Sequence, residues 1–300
     1  MMNKYLKVLL NPKTYSKQLL EELHDEYLTL TKQVYYDHHL IFIAGLPKSG
    51  TTWLEKLISE IPGYIQLEGS FLRNFKGWKN LEHKHGINQK MINSAPIHKY
   101  SFLKRHTHYD AKYIQILKDA GVKPTILIRD IRDMMISRYW HILSEPTHWQ
   151  YKEISSLPFD EGFEKSLFGT FKGEPVIIYF VRWINDWIEY INKNPNDTIL
   201  IKYEEMKNDI NFTLTKFFHF YGIQYSKMEI NNIVLRQKIK HINRVRLSIN
   251  LNLAGREKTT FRKGIPGEWK NCFNEVHCMI FKKLAGETLI ISGYEKNTDW

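Results

Sequence analysis

Leu40-Ile-Phe-Ile-Ala44, Gly45-Leu46-Pro47-Lys48-Ser49-Gly50-Thr51-Thr52-Trp53 and Leu54-Glu-Lys-Leu57-Ile58-Ser-Glu-Ile61 follow one another without a break, and this run decides the fold. The opening residues are all apolar, as in a strand buried on both faces of a parallel sheet. The closing residues carry their apolar side chains at helical spacing. Between the two, a pair of glycines lets the backbone turn tightly and aim successive N–H groups at one point. There the following helix adds its positive N-terminal end. Strand, glycine loop and helix together form a cradle for a phosphate-like anion. Gly45 and Gly50 have the separation of the pattern G-x-x-x-x-G-K-[ST], but Thr51 stands at its lysine position and the lysine has moved forward to Lys48. A nucleoside triphosphatase needs that lysine on the β and γ phosphates. The departure argues against ordinary ATP or GTP hydrolysis, although a nucleotide kinase or NTPase remains an alternative.

Outward from this run, buried strands are expected at Ile65–Leu67, Phe102–Lys104, Thr125–Ile128 and Thr198–Lys202, with helices near 131–143, 175–193 and 211–221. Tyr179, Trp183, Trp187 and Ile191, four residues apart, form the core face of the second of these helices. The order predicts an α/β fold: a single domain with a central, mainly parallel sheet flanked by helices and a P-loop-like anion loop. Repeats and low-complexity linkers are lacking, so residues 1–300 read as one domain, with 1–37 as a lead-in that is helical over 12–36 and 38–300 as the core.

Composition excludes other classes. Gly (16) and Pro (10) are ordinary counts, and 43% hydrophobic residues supply a substantial core, so the chain is neither collagen-like nor disordered. No apolar run approaches the ~18–20 residues that cross a bilayer, and the amino terminus lacks a signal-peptide pattern. Two cysteines, Cys272 and Cys278, cannot build a disulfide framework, and a soluble cytoplasmic protein is expected. The formal net charge of +11 attracts anions: nucleic acid, an anionic membrane surface or a small polyphosphorylated ligand. One basic run, Arg236 to Arg246, is either a solvated helix face or an anion-binding surface. A basic nucleic-acid-binding protein is therefore a second alternative.

Four stretches carry a resemblance to a known family. Pro47-Lys48-Ser49-Gly50-Thr51-Thr52-Trp53 resembles the 5′-phosphosulfate loop of the cytosolic sulfotransferases, which use 3′-phosphoadenosine 5′-phosphosulfate (PAPS) as donor and release adenosine 3′,5′-bisphosphate (PAP). Ile126 to Tyr139 is similar to the family segment in which an Arg and a Ser eight positions later, here Arg129 and Ser137, hold the 3′-phosphate. Phe261-Arg262-Lys263-Gly264-Ile-Pro-Gly267-Glu268-Trp269-Lys270 resembles the C-terminal motif that closes over that phosphate, with Glu268 replacing Asp. Tyr203-Glu204-Glu205-Met206-Lys207 resembles a segment whose tyrosine reaches the adenine, on which Trp53 would stack. The chemistry of these side chains agrees, because PAPS needs two separate anion receptors and arginine's planar fork suits phosphate. A structural ion pair with Asp130 or Asp133 is the competing explanation of Arg129, and ordinary surface charge that of Arg262 and Lys263.

Sulfuryl transfer needs positioning, electrostatics and one base. The resemblance gives Lys48 the leaving oxygen. Phe102-Leu-Lys104-Arg105-His106 is similar to the family's Lys-Thr-His strand end, making His106 the base and placing Lys104 on the sulfonate, with Arg105 replacing Thr. An imidazole with an ordinary pKa near ~6.5 is mostly neutral in the cytoplasm. His108 is a rival. His106-x-His108-x-Asp110 also begins a metal-hydrolase signature, but Ala111 stands where its next histidine belongs, and no metal is expected. His38-His39 and His83-Lys-His85 read as surface or loop pairs. Phe71, Trp78, Tyr139, Trp140, His141 and the segment Glu145–Gly173 are candidate lining for a small-molecule acceptor, an alcohol, phenol or amine. Family members commonly dimerise through Lys-x-x-x-Thr-Val-x-x-x-Glu. Here Lys270 is followed by Asn274, Glu275 and Met279, so that dimer is expected to be absent. Nucleic acid and membrane are not expected partners.

Overall fold

The computed structural model describes residues 40–61, 64–66, 86–93, 95, 100–250 and 264–300. The lead-in helix at 12–36, the two surface histidine pairs, Phe71, Trp78, Arg262 and Lys263 lie outside the described residues. In chain order the strands are β1 (Leu40–Gly45), β2 (Tyr64–Gln66), β3 (Tyr100–Arg105), β4 (Pro124–Ile128), the short pair β5 (Thr170–Phe171) and β6 (Glu174–Pro175), and β7 (Ile199–Lys202). The helices are α1 (Thr51–Ile58), α2 (Gln89–Asn93), α3 (Ala111–Asp119), α4 (Ile131–Leu143), α5 (Tyr151–Ile154), α6 (Phe159–Phe168), α7 (Val176–Lys193), α8 (Tyr203–Asn208), α9 (Ile210–Phe220), α10 (Lys227–Asn250) and α11 (Glu275–Ile291).

The main sheet has the order β2-β3-β1-β4-β7 with every pairing parallel. Alternation explains why its central strands are apolar throughout: Leu40, Phe42 and Ala44 enter one core, while Ile41 and Ile43 enter the other. The first core is closed by α3, α4, α6, α7 and α11, the second by α1, α9 and α10. Burying one such aliphatic side chain stabilises the fold by roughly 1.5–3 kcal/mol. Trp183 and Trp187 of α7 are 1% exposed, as their spacing predicts. Among the described residues the other strands and helices expected from the sequence hold to within two residues, while the helix read over Leu54–Ile61 starts and ends three residues earlier, at Thr51–Ile58.

The basic run falls on α10, where Arg236 and Lys240 both reach the carboxylate of Glu60 just beyond α1, at 3.3 and 2.7 Å. Two of its cations thus pair with a carboxylate of the chain itself while staying exposed at the surface. Among the described residues no helix is long and apolar enough to cross a membrane.

Candidate active site

Parallel pairing sets the carboxyl ends of four strands side by side. Ala44 pairs with Arg105, Gly45 with Leu127, and Ile128 with Lys202. The next residues along each strand are the glycine loop, His106, Arg129 and Tyr203, so four distant stretches of sequence meet at one sheet edge. Such an edge, where the chain has crossed from one side of β1 to the other, is the usual ligand site of open α/β sheets.

The loop is fixed by its own buried groups. Leu46 N–H donates to Leu127 O (2.9 Å), and the Ser49 hydroxyl donates to Leu46 O (2.6 Å) with Leu127 O a further 3.2 Å away. Ser49 is fully buried, so its side chain shapes the loop rather than facing a ligand. Gly45 must lack a Cβ because one there would lie 1.9 Å from Thr51 Cγ2. Gly50, at φ +90°, would drive a Cβ to 2.6 Å from the Tyr203 ring. Lys48 itself adopts φ 64°, a left-handed conformation that costs a non-glycine residue about 1–3 kcal/mol. Helix α1 then starts at Thr51 with no side-chain cap, leaving its first-turn amides to face the loop. Thr52 and Trp53 are half-buried beside it. Burial, and then the charge of Arg129, lower the Lys48 pKa to about 8. Two cations so placed fit an anion carrying several charges.

Tyr203 joins the other pieces. Its ring lies 4.5 Å from the Arg129 guanidinium carbon and 6.2 Å, edge-on, from Trp53, and its hydroxyl donates to Gly264 O (3.1 Å). Gly264, at φ +63°, passes close enough that a Cβ would stand 2.9 Å from that hydroxyl. Arg129 donates to Ile265 O (3.3 Å) and is paired with Asp133 at 3.4 Å. Asp133 also accepts the N–H groups of Gly267 (2.7 Å) and Trp269 (2.9 Å). Burial pushes its carboxyl up, while these amides and Arg129 pull it down. The competing ion pair of Arg129, with Asp133, therefore exists, and the same guanidinium reaches the C-terminal segment at Ile265 O. Asp130 is engaged elsewhere, with Arg132. Ser137 lies two turns into α4 and is half-buried. Sequence reasoning named Asp133 only as a competitor; the signal of its double amide role is the Gly267-x-Trp269 spacing.

At the end of β3, His106 Nδ1 lies 2.6 Å from Gly45 O. A carbonyl can only accept, so Nδ1 carries a proton, and in the neutral ring Nε2 is the nitrogen with the lone pair. Lys104 pairs with Glu55 of α1, a turn beyond the loop, so its ammonium must exchange that partner to reach a ligand. His108 turns elsewhere: its Nδ1 is buried with no hydrogen-bond partner among the described residues, and its ring meets Tyr113 edge-on at 5.6 Å. Burial, then Lys172, lower its pKa. Asp110 is used to cap α3 by accepting Lys112 N–H (2.8 Å). Among the described residues no cluster of three His, Cys, Asp or Glu could hold a metal ion.

Beside His108 stands a flank built from the 145–150 loop, the β5–β6 hairpin and the start of α7. Trp149 stacks between His148 (5.7 Å) and Phe171 (6.4 Å), and Phe171 meets Tyr179 edge-on at 4.9 Å. Buried Arg138 pins this loop by donating to Gln150 and to Ser166 O (3.2 Å), and burial lowers its pKa to about 10. Burial, then the Arg138 charge, take His148 down to about 4. Tyr139, a candidate for lining, is instead core, 2% exposed against Phe159 and Phe163. Trp140 is exposed and stacks on Phe159 at 6.1 Å.

The sulfotransferase domain family matches residues 38–293, and the chain belongs to that family. It is an enzyme of the sulfuryl-transfer class, which replaces the kinase and NTPase alternative. It is 27% identical to cytosolic sulfotransferase 3 of Arabidopsis thaliana over 77% of this chain and 70% of the relative. With flavonol 3-sulfotransferase of Flaveria bidentis it shares 26% over 90% and 89%. Among solved structures, mouse sulfotransferase SULT7A1 complexed with PAP superposes with a TM-score of 0.62 at 22% identity, covering 85% of this chain and 89% of that one. Retinol dehydratase in complex with retinol and PAP gives 0.54 at 16%, over 84% and 81%. These likenesses show the shared fold.

Proposed function

We propose that the protein transfers a sulfuryl group from PAPS to a hydroxyl or amine of a small molecule, with His106 as base. The observation that carries this reading is the His106 Nδ1–Gly45 O bond, which ties an Nε2 lone pair to the anion loop. The acceptor gives its proton to Nε2 as its oxygen or nitrogen attacks sulfur; the bond from sulfur to the 5′-phosphate oxygen breaks, and Lys48 donates to that oxygen. Thr51, Thr52 and the loop amides hold the phosphosulfate, with Lys104 joining if it leaves Glu55. Arg129, Ser137, Arg262, Lys263 and Gly264 hold the 3′-phosphate, and Trp53 and Tyr203 flank the adenine. No step calls for a metal. Residues 38–300 form the donor-binding core.

We take the stacked rings of Trp149 and Phe171, in the 145–173 segment that the sequence singles out as acceptor lining, together with Tyr179 against Phe171, as the acceptor side. The names of the Flaveria flavonol enzyme and of the retinol complex support a small apolar acceptor with a hydroxyl. The relatives' designation as cytosolic supports a cytoplasmic site of action. Because Asn274, Glu275 and Met279 replace the residues of the family dimer pattern after Lys270, we infer no dimer of the family type there. A thermal-shift comparison tests the donor: PAP should stabilise the protein far more than AMP or ATP. Radiolabelled PAPS should then label an acceptor panel with EDTA present. Equal stabilisation by PAP and AMP, or activity abolished by EDTA, would sink the reading.

A further inference from the structure

The N-terminal turn of α4 is held by the last residues of the chain. Arg132 is 2% exposed, and its guanidinium carbon lies 3.8 Å from the Trp269 ring centroid and 4.3 Å from that of Trp300. The two indoles meet at 79° with centroids 5.3 Å apart, so they form a corner around the cation. Arg132 donates to both oxygens of Asp130 (3.0 and 2.7 Å) and pairs with Glu295 at 2.6 Å. Next to Glu295, the Tyr294 hydroxyl donates to Glu204 (2.8 Å), whose other oxygen accepts the Asp130 amide (3.2 Å). Residues 294–300 are thereby tied to the same turn that presents Arg129 and Asp133.

Residues 265–269 are gripped from two directions. Arg129 and Asp133 hold the backbone at Ile265, Gly267 and Trp269, and Arg132 holds the Trp269 ring. We propose that Arg132 and Trp300 are positioning residues for the donor's 3′-phosphate. Closing the aromatic corner over Arg132 fixes Trp269, Trp269 fixes the strap at 265–269, and the strap fixes Arg129. This rests on the assignment of Arg129 to that phosphate. The physical benefit is preorganisation: a receptor already held in place loses less freedom when the ligand arrives. Desolvation strengthens the contact between cation and indole and lets it act as the fastener. Gly264 just before the strap and Gly267 within it are both at positive φ, so the backbone between them contributes little stiffness.

The test measures PAP and AMP binding by isothermal titration for wild type, Trp300→Ala, Trp300→Phe and Glu295→Gln, with hydrogen exchange followed over 264–271. Trp300→Ala should weaken PAP binding about tenfold while leaving AMP within about twofold, and Glu295→Gln should weaken PAP about threefold. Trp300→Phe should restore most of the loss, since a ring still faces the cation. The Gly267 and Trp269 amides should exchange faster in the weakened variants. A PAP-to-AMP ratio kept at the wild-type value in both Trp300→Ala and Glu295→Gln overturns the positioning role alone, as does an equal loss for both ligands. If Trp300→Ala does not fold, Glu295→Gln decides by itself, because it removes one ion pair and leaves the corner filled. A wild type that binds PAP no better than AMP overturns the 3′-phosphate assignment and this inference with it.

Discussion

The strand-end region and the flank beside His108 are put together by different forces. Leu46, His106, Arg129 and Tyr203 are positioned by backbone pairing: each follows directly on a strand whose register with its neighbour is fixed. The flank of Trp149, Phe171 and Tyr179 is held by side chains, through ring contacts and the Arg138–Gln150–Ser166 bonds. Pairing of a buried strand permits no slip, because shifting by one residue would turn every side chain to the other face. Ring packing tolerates replacement by another ring of similar size. Substitutions at the strand ends should therefore act on donor binding and chemistry, and those on the flank on acceptor use alone.

The largest separation between the regions is expected at His106. His106→Ala should lower turnover ~10²–10⁴-fold, the usual contribution of a general base, with PAP affinity nearly unchanged. His108→Ala should retain turnover, since that ring is turned toward Tyr113 and the charges of Lys172 and Arg182. The reverse pattern would move the base from the strand end to the flank and erase the comparison. Arg129→Ala comes next: a charge-assisted hydrogen bond contributes roughly 1.5–3 kcal/mol, or about 10- to 100-fold in PAP affinity. AMP binding should barely respond, and a parallel loss of both ligands would reduce Arg129 to a structural partner of Asp133.

Much of the strand-end region was legible in the sequence because local rules govern it. Leu40–Ala44 had to be a doubly buried strand, Gly45 and Gly50 had to turn, and the spacing of Arg129 and Ser137 put them on one strand-to-helix segment, before α4 and two turns into it. For Lys104 alternation along β3 gives only the face, and the fold adds what the sequence could not show, its pairing with Glu55 of α1. Tyr139 is a candidate for lining through the family resemblance, yet the helical turn points it into Phe159 and Phe163. Arg132 gave no signal at all, since its partners Trp269, Glu295 and Trp300 are brought to it only by the packing of the last helix and tail.

A pH titration sharpens the comparison at Lys48. Burial and Arg129 hold its pKa at about 8, below the ordinary 10.5. A bound dianion favours the charged ammonium and raises that value again. Below pH 8 the lysine is already charged and PAP affinity should be flat. Above pH 8 binding must take up a proton, so affinity should fall by up to about tenfold per pH unit until the raised value in the complex is reached. Lys48→Met should bind PAP more weakly at neutral pH and lose this slope. A wild-type slope that persists in Lys48→Met would assign the titration to another group.

The smallest effect, and the most direct probe of the flank, is Trp149→Ala. Trp149 is 43% exposed, so its removal leaves no sealed cavity, and stability should change by no more than about 1 kcal/mol. PAP affinity should stay within about twofold, because the ring contacts of Trp149 are with His148 and Phe171, neither of them assigned to the donor. The KM for an aromatic or polycyclic acceptor should rise about three- to tenfold, the scale of one lost ring contact, with kcat at saturating acceptor retained. Trp149→Phe should recover part of it, since a ring can still lie against Phe171. If PAP affinity falls as far as acceptor KM rises, the loop supports the donor site through Arg138 and the two regions are one. If neither moves, the acceptor does not use this shelf, and the side chains facing it must be sought elsewhere on the strand-end edge.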